Sequence, residues 1–470
     1  MGCRAASPPS TAPTGGCISS TGCPSTPRTS SPRSRTWPIR AGSVSELSTE
    51  GARLTDTASR PLVAIVDGYS TGNFLPTAFN TRGADVVHVQ STPEWLTSML
   101  LPDLSHYVGN IVHTSIEKTV AELSARGVIA VVAGQEPGVP LTDELSTALG
   151  VASNGTTHSK AKRDKFAMTE TVRAAGIRCA AQHVATTADA LAEWAGALGT
   201  TPVVVKPLSS ASTDGVHICD DVDAVRTAAQ SVLSTRDIFD LPNRHVLGQS
   251  YLDGDEYIVD TVSAQGRRFV VGVWRYQKNL VNGKNIYDRD VLMPADEDPV
   301  PELIAYTDRV LDTFGIDWGP THTELKMTSN GPALVEIGAR SNGNMNPGFH
   351  DVCLGHNQAD LIALAHLDPG RFVDEYGDRV YHMRQPAVVY NAPSTRSGVI
   401  TAIDEATVKE IEQLETVHLL SVKLAPGKEL KQTIDLLTSP LRVFLTGPRE
   451  EAIDADYHRV RALKDKVYRI

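Results

Sequence analysis

The chain has 470 residues and a formal net charge of −11, with 41% hydrophobic and 21% charged residues. At about 150 residues per domain, this length predicts about three folded units. No stretch approaches the run of about 20 apolar residues that a membrane span requires, and the acidic balance argues against a nucleic-acid groove. Composition therefore excludes membrane and nucleic-acid partners, but it does not exclude nucleotide phosphates, which a few local groups can bind.

Residues 1–58 are dominated by Ser, Thr, Pro, Gly and Arg and have no apolar periodicity. Such a segment cannot bury enough apolar surface to order itself, and it lacks the apolar core of a secretory signal. Two interpretations stay open, a disordered extension and a start codon placed too far upstream. With neither a signal nor a membrane span, we expect a cytoplasmic protein.

The cysteines and histidines predict neither a disulfide framework nor a metal site. Only Cys179, Cys219 and Cys353 lie outside the N-terminal segment. Cys353 stands between His350 and His356, and these residue types are zinc ligands. Their i, i+3 and i+6 spacing does not keep all three on one helix face, so we expect an ordinary structural role.

Residues 59–155 predict an open, mostly parallel α/β sheet. The strand Pro61–Asp67 ends at a glycine turn, Gly68–Gly72, and leads into a helix, which is how a βαβ unit opens. The remaining elements expected here are strands at Val86–Val89, Asn110–Val112 and Val128–Ala133 and a helix at Ser115–Arg126.

After residue 155 the pattern changes to mixed helices and strands. Apolar spacing predicts helices at Lys160–Ala175, Asp189–Leu198 and Asp221–Leu233 around the strand Pro202–Lys206. Further β-rich segments are His245–Gln249, Tyr257–Ser263, Arg268–Trp274 and Thr323–Ala339. From about residue 375, strands are expected at Ala387–Tyr390, Val417–Leu424 and Leu441–Thr446, and a helix at Ala452–Leu463.

Two basic elements are candidates for binding a polyphosphate. Lys206 ends a buried strand and precedes a loop of small hydroxyl residues and a glycine, whose backbone N–H groups can surround phosphate oxygens. Lys165 opens a helix, where a bound anion would relieve the conflict between basic residues and the helix dipole. Taken alone, each is more simply a solvated basic residue. The loop residues in question are Ser209, Ser210, Ser212 and Gly215.

A third element runs from Gln249 to Asp260. A strand, an acidic glycine turn and a second strand can present backbone groups to an adenine edge and the Glu256 carboxylate to a ribose hydroxyl. An ordinary hairpin turn explains this pattern equally well.

The most restrictive element is the pair Glu324 and Glu336, on two strands joined around Ser329–Gly331. A three-residue loop would place the two glutamates directly opposite each other, whereas a two-residue Asn-Gly turn would place them on opposite faces. Facing carboxylates repel, and a sheet tolerates them best with a cation between them. Mg²⁺ fits, because it takes one or two carboxylates plus substrate phosphates. The alternative is a hairpin with two solvated glutamates.

Together and in this order, these elements resemble the ATP-grasp superfamily, and within it the L-amino acid ligases that form dipeptides. The resemblance covers residues 60 to 370 and implies an α/β and α+β fold in four folded parts. They are an N-terminal open parallel α/β domain (59–155), the small (156–250) and large (251–372) subdomains of a two-part ATP-grasp core, and a small C-terminal α+β domain (373–470).

The resemblance also implies a role for each matching residue. Lys165 and Lys206 would contact the ATP phosphates under the 209–215 loop, and Arg340 would steady the γ-phosphate or the acyl phosphate. Gln249 and the backbone near Tyr251 and Leu252 would hold adenine, with Glu256 near the ribose. Glu324 and Glu336 would bind Mg²⁺, which Mn²⁺ can replace. Many family members have Asn where this chain has Gly338, so Asn342 is the candidate for the missing ligand.

The expected reaction is attack of a substrate carboxylate on the γ-phosphate of ATP, followed by capture of the acyl phosphate by an amine, with release of ADP and phosphate. The expected partners are small-molecule carboxylates and amines, amino acids above all, and a homodimer is compatible with the sequence. Two alternatives remain, another ATP-grasp ligase of carboxylase-like or glycinamide type, and a nucleotide-binding module without turnover. A dinucleotide-dependent oxidoreductase is remote, because no Gly-x-Gly-x-x-Gly follows the first strand.

Overall fold

The computed structural model describes residues 60–208, 215–236, 241–281, 284–436 and 438–470. The first elements form a parallel sheet of order β3-β2-β1-β4 with helices packed on it. Val63 to Val66 are fully buried, because the helices cover both faces of β1. This confirms the expected open parallel sheet. Its elements are β1 (Leu62–Val66), α1 (Leu75–Thr81), β2 (Asp85–Gln90), β3 (Asn110–Val112), α2 (Ile116–Ala125), β4 (Val128–Ala133) and α3 (Val139–Leu149).

A smaller antiparallel sheet follows, of order β5-β8-β6-β7, with α5 and α6 packed against it. Lys206 is the last residue of its strand, and the helix with Lys165 lies just before this sheet in the chain. The elements are α4 (Lys165–Ala174), β5 (Gln182–Ala185), α5 (Ala188–Leu198), β6 (Val203–Lys206), β7 (His217–Cys219), α6 (Val222–Leu233) and β8 (Val246–Ser250).

Helix α4 is shorter at its start than the sequence pattern indicated, since the expected helix began at Lys160. The Asp164 side chain accepts a hydrogen bond of 2.9 Å from the backbone N–H of Ala167, which caps the helix there. Lys162 lies in the preceding turn, where its Nζ forms a fully buried ion pair with Asp143 at 2.9 Å. This tertiary contact holds residues 160–163 outside the helix.

The long middle segment builds most of a large, mainly antiparallel sheet and four helices beside it. Strand β10 pairs with both β9 and β11, and β12 pairs with both β9 and β13. The elements are β9 (Asp255–Ala264), β10 (Arg267–Val281), β11 (Lys284–Leu292), α7 (Val300–Thr313), β12 (Gly319–Thr328), β13 (Gly331–Gly338), α8 (Pro347–Cys353), α9 (Gln358–Leu367) and α10 (Pro369–Tyr376).

The last segment extends this sheet and also forms two separate two-stranded sheets. Strand β15 pairs with β11, and β20 and β18 follow, so the order within the described residues is β13-β12-β9-β10-β11-β15-β20-β18, with β14 beside β10. The elements are β14 (Arg379–Val380), β15 (Ala387–Ala392), β16 (Gly398–Val399), β17 (Ala402–Ile403), α11 (Glu405–Glu412), β18 (Val417–Val422), β19 (Glu429–Leu430), β20 (Leu441–Thr446), α12 (Glu450–Leu463) and β21 (Tyr468–Arg469).

The two faces of the extended sheet have different environments. On one face, Val388, Tyr390 and Leu445 pack into a separate apolar core with α12. On the other, Val389 and Phe444 belong to the core that also holds the central strands. This second face carries the polar residues of the site, and the small antiparallel sheet lies opposite its β12–β13 end.

Candidate active site

A cavity of about 350 Å³ lies between the small antiparallel sheet and one face of the large sheet. A cleft between two sheets is a common location for a small-molecule site. Every residue predicted for the site that falls within the described ranges lines this one cavity, although the residues come from segments up to 177 positions apart. They are Lys165, Lys206, Gly215, Gln249, Tyr251, Leu252, Glu256, Glu324, Glu336, Arg340 and Asn342.

Glu324 and Glu336 are directly opposite each other on β12 and β13. The prediction that the glutamates face each other only across a three-residue loop is wrong, since Thr328 pairs with Gly331 across a two-residue turn. That turn alone would leave the glutamates one residue out of register. A β-bulge inserts Val335 between the pairs Leu325–Leu334 and Glu324–Glu336, which restores the facing pair.

The two carboxylates have different neighbours. Glu336 Oε1 accepts a hydrogen bond from Lys165 Nζ at 2.8 Å, whereas Glu324 Oε1 lies 3.5 Å from Nε2 of His322. Burial raises the pKa of Glu324, but the hydrogen bond and charge of His322 outweigh burial and lower it to about 2. Glu324 is therefore ionised at neutral pH.

His322 is held as a cation by a second carboxylate. Its Nδ1 lies 2.8 Å from Oδ1 of Asp260, and both side chains are almost fully buried. Burial lowers the pKa of His322, but the charge of Asp260 and its hydrogen bond raise it to about 9. A line of polar contacts therefore runs from the buried Asp260 through His322 to Glu324 at the cavity wall.

Lys206 reaches the cavity from the end of β6, opposite the glutamates. Burial, and after it the positive charge of Lys165, lowers the pKa of Lys206 to about 8, while Glu336 and Glu324 oppose this effect. A buried ammonium with a neighbouring cation is poorly compensated. An added anion would stabilise its charged form.

Arg340 is oriented by a carboxylate from the parallel sheet. Its Nε donates to Oε2 of Glu136 at 3.0 Å, and the other oxygen of Glu136 accepts from Arg163 at 2.6 Å. Burial raises the pKa of Glu136, but the two guanidinium groups outweigh burial and hold it below its usual value. Glu136 follows β4, at the carboxyl edge of the parallel sheet where ligands gather in α/β folds.

The opposite end of the cavity is lined by the turn between β8 and β9. Glu256 Oε1 accepts from Lys278 Nζ at 2.6 Å, and Gln249 donates to Gln182 at 3.0 Å. Lys326 donates to the Gly254 carbonyl at 3.1 Å and its ammonium lies 5.4 Å from the ring of Tyr251. This end therefore combines aromatic and backbone surface with paired charges.

Comparisons with known proteins agree with this geometry. Residues 199–347 match the model of the ATP-grasp domain family. Over 391 residues, the chain is 35% identical to Dapdiamide A synthase of Enterobacter agglomerans, which covers 81% of this chain and 91% of that protein. The chain belongs to the ATP-grasp family. It is an ATP-dependent carboxylate–amine ligase that forms amide bonds.

Solved structures agree with the ATP-grasp fold. The L-amino acid ligase from Bacillus licheniformis superposes with a TM-score of 0.67 at 20% identity, covering 87% of this chain and 98% of that one. Phosphoribosylglycinamide synthetase from Anaerococcus prevotii superposes with a TM-score of 0.60 at 11% identity, covering 88% and 99%. At these identities the likeness concerns the fold alone.

Ser209, Ser210 and Ser212 lie outside the described residues, as does the segment 1–58. Asn342 lines the cavity, but its Nδ2 donates to Asp260 at 2.7 Å and its Oδ1 accepts from the backbone of Asn344 at 2.7 Å. A role as a metal ligand would need the second lone pair of that oxygen.

Sequence reasoning assigned no role to several polar groups at the cavity. Glu136 gave a usable signal, because it directly follows a buried strand of a parallel sheet. His322 lies two residues from Glu324 on the same strand, so the alternation of side chains places both on one face. Lys278 is brought to Glu256 only by the pairing of β10 with β9. Asn344, which lines the cavity and donates to Asp290, gave no signal in the sequence.

The three candidate zinc ligands His350, Cys353 and His356 do not form a metal site. His350 is buried beside Trp274, Cys353 is buried in the core, and His356 contacts the carbonyl of Val271. Among the described residues, no group of three or more His, Cys, Asp or Glu side chains could hold a metal ion. Nor does any described helix have the length and apolarity to cross a bilayer.

Proposed function

We propose that this ligase is an L-amino acid ligase, joining the carboxylate of one amino acid to the amine of another. The observation that carries this proposal is the facing pair Glu324 and Glu336, with Lys165, Lys206 and Arg340 around the same cavity. The similarity to Dapdiamide A synthase and to an L-amino acid ligase supports amino acids as the substrates.

ATP is proposed to lie along the cavity with its phosphates at the lysines. Lys165 and Lys206 would hold the phosphates, because their ammonium groups face the carboxylate pair and Lys206 lacks full compensation. Adenine would pack at the end formed by Gln249, Tyr251 and Leu252, with Glu256 accepting from the ribose. Ser209, Ser210, Ser212 and Gly215 would close over the phosphates.

Mg²⁺ is the proposed metal, with Mn²⁺ able to replace it. Glu324 is ionised and faces Glu336, and two carboxylates plus phosphate oxygens are the ligand set that Mg²⁺ takes with nucleotides. Asn342 remains a candidate for a further oxygen ligand. Bound there, the metal would neutralise charge on the transferring phosphoryl group.

The proposed reaction has two steps, in which the chain aligns and neutralises the reactants. A carboxylate oxygen of the first substrate attacks the γ-phosphorus, the bond to the ADP oxygen breaks, and an acyl phosphate forms. Arg340, held by Glu136, would stabilise the charge on that phosphate. The amine nitrogen of the second substrate then attacks the acyl carbon, the bond to phosphate breaks, and the nitrogen loses a proton.

We propose that the chain is divided into four domains, 59–155, 156–250, 251–372 and 373–470. Separate apolar cores within the first, second and last of these segments support this division.

A homodimer is proposed on the exposed apolar side chains of Leu100, Leu101 and Val108, and light scattering on the purified protein tests it. Dependence on ATP favours the cytoplasm as the location.

The test is release of phosphate and ADP from Mg-ATP with pairs of amino acids, with product mass as a second readout. At least one pair should release phosphate and yield a product lighter by one water than the sum of its substrates. Phosphate release that requires bicarbonate or a phosphoribosylamine instead would support another ATP-grasp ligase. Binding of Mg-ATP without turnover under any carboxylate and amine would support a nucleotide-binding module.

A further inference from the structure

A second cavity, of about 530 Å³, lies at the turn between β12 and β13. Within the described part of the chain, it shares no lining residue with the candidate active site. Its wall is formed by the end of α4 and the segment after it, by α7, and by the β12–β13 turn. Sites for small organic ligands have volumes of about 300–1,000 Å³, so this cavity is large enough for one. We call it the arginine cavity, because Arg173, Arg178 and Arg309 line it.

The wall of the arginine cavity carries an excess of positive charge. All three guanidinium groups are exposed, and Glu302 is the one acidic side chain among the described residues that line it. Arg173 is paired with Glu170 at 3.1 Å, whereas Arg178 and Arg309 form no ion pair with any acidic residue that the structure describes. A bound anion would therefore supply the missing partner of two arginines.

The positions of these arginines favour a phosphate group over a carboxylate. Arg173 is in the last turn of α4, Arg178 is in the segment that follows, and Arg309 is on α7, so the three approach from different elements. A phosphate presents oxygens on several sides, and guanidinium groups bind it through paired, charge-assisted hydrogen bonds. A planar carboxylate has only two oxygens and would engage fewer of the cations. The side-chain amide of Asn330 also lines the cavity and can donate a further hydrogen bond.

The wall of the arginine cavity is fixed to the large sheet. The hydroxyl of the buried Tyr306 accepts from the backbone N–H of Leu334 at 2.9 Å and donates to the carbonyl of Arg178. Cys179 forms a β-bridge with the same residue of β13, one position before the bulge at Val335. These contacts hold the segment that carries Arg178 in place before any ligand arrives, and a preorganised wall lowers the cost of binding.

We propose that the arginine cavity binds a phosphate group, either as inorganic phosphate or as the phosphate of a small polar ester. The site is separate from the proposed nucleotide site, and its occupation does not depend on which substrates the ligase joins. The aromatic ring on its described wall, that of Tyr306, is 2% exposed, so a nucleotide base would add little to binding.

Calorimetric titration of the full chain tests this proposal, with the active site filled by Mg²⁺ and a non-hydrolysable ATP analogue. Inorganic phosphate and ribose 5-phosphate are the two probes, and at least one should bind with a Kd of about 1 mM or tighter. Tighter binding of inorganic phosphate would identify the free anion as the ligand, and tighter binding of ribose 5-phosphate would identify an ester. Failure of both probes to bind at this strength would overturn the proposal.

A double variant tests the residues. Arg178→Gln together with Arg309→Gln removes both unpaired guanidinium groups and should weaken binding of the better probe at least about tenfold. The matched control is Arg371→Gln together with Arg449→Gln, which removes the same charge from exposed arginines that line neither cavity. The control should bind like the wild type. Equal weakening in both double variants would show attraction by net charge alone, against a site.

Hydrogen exchange locates the bound phosphate. A ligand in the arginine cavity contacts Asn330 and Gly331, so it should slow exchange of the segment Met327–Leu334 in the wild type. In the variant that lacks Arg178 and Arg309, the same probe should leave this segment unchanged. Slower exchange confined to the strand that carries Lys206 would place the phosphate in the active site and overturn the proposal.

Discussion

Three charged side chains at the cavity form ion pairs with carboxylates from other elements. Lys165 with Glu336, Lys278 with Glu256, and Arg340 with Glu136 are all within 3.0 Å and largely buried. Buried ion pairs contribute little to stability, because desolvation offsets most of the attraction. Under the proposed function, these pairs would hold Lys165 and Arg340 in position for the phosphates and Glu256 in position for the ribose.

Glu336→Ala removes one of the two facing carboxylates and should nearly abolish ADP formation. Loss of one preorganised electrostatic contact to a transferring group costs about 10²–10³-fold in kcat. The fold should persist, because Glu336 is partly exposed to the cavity and its only carboxylate-specific contact described is with Lys165. Coupled-enzyme assay of ADP and circular dichroism measure the two properties.

The control for this variant is Glu122→Ala, which removes an exposed carboxylate paired within α2. It should retain wild-type turnover. Near-normal ADP formation by Glu336→Ala would remove Glu336 from the metal site.

Glu136→Gln should show whether Glu136 positions Arg340 for the reaction or contributes to the binding of ATP. The neutral amide holds Arg163 and Arg340 less firmly than the carboxylate does, so Arg340 loses its fixed orientation toward the γ-phosphate. We expect kcat to fall about 10- to 100-fold, while KM for ATP changes less than about threefold. Steady-state kinetics over ATP concentration gives the split. An unchanged kcat, or a rise in KM alone, would show that Glu136 does not act through Arg340.

At the scale of elements, the positions of the strands could be predicted from the sequence, whereas the β-bulge in β13 and the start of α4 could not. β-branched runs such as Val128–Ala133 and Leu441–Thr446 match the expected bounds, because burial on a sheet gives a local pattern. The bulge at Val335 and the late start of α4 depend on pairing and on the Lys162–Asp143 contact, which lie outside any local pattern. Both features position groups that face the cavity.

Asp164→Ala tests the start of α4. Loss of the N-cap should lower the free energy of unfolding by about 1 kcal/mol. Because Lys165 is the first residue of this helix, KM for ATP should also rise. Asp164→Asn should restore both, since Asn caps as well as Asp.

Asp221→Ala is the matched control, because Asp221 caps α6 in the same way and does not line the cavity. It should lose similar stability in urea denaturation with no change in KM. A KM that rises equally in both cap variants would contradict a specific role for the α4 start.

At the scale of the whole molecule, the site depends on one sheet that joins distant segments. The sequence motifs identified the groups near β6, β8, β12 and β13, since each motif is local. They did not identify Glu136, which comes from the parallel sheet, or the hydrogen bond from Arg442 to the carbonyl of Gly343 beside the cavity, which forms only because β15 and β20 extend the large sheet beyond β11. The local periodicity of the sequence does not indicate long-range strand order of this kind.

The junction between the central strands and the C-terminal strands should make overall stability depend on pH. His350 lies there, buried beside Trp274 and next to Phe349, which packs on Phe444. Burial lowers the pKa of His350 to about 4, below its ordinary value of 6.5. Between these values the unfolded chain binds a proton that the folded chain does not, so stability falls as pH falls from about 6.5 to 4.

The expected size of this effect is about 2–3 kcal/mol of unfolding free energy lost between pH 7 and pH 4.5, from about 1.4 kcal/mol for each unit of pKa difference. His350→Gln cannot titrate, so its urea denaturation should show a drop smaller by that amount over the same range. His106→Gln, at an exposed histidine, should show the wild-type drop. The same pH dependence in His350→Gln and in wild type would mean that His350 is protonated as readily in the folded chain as in the unfolded chain.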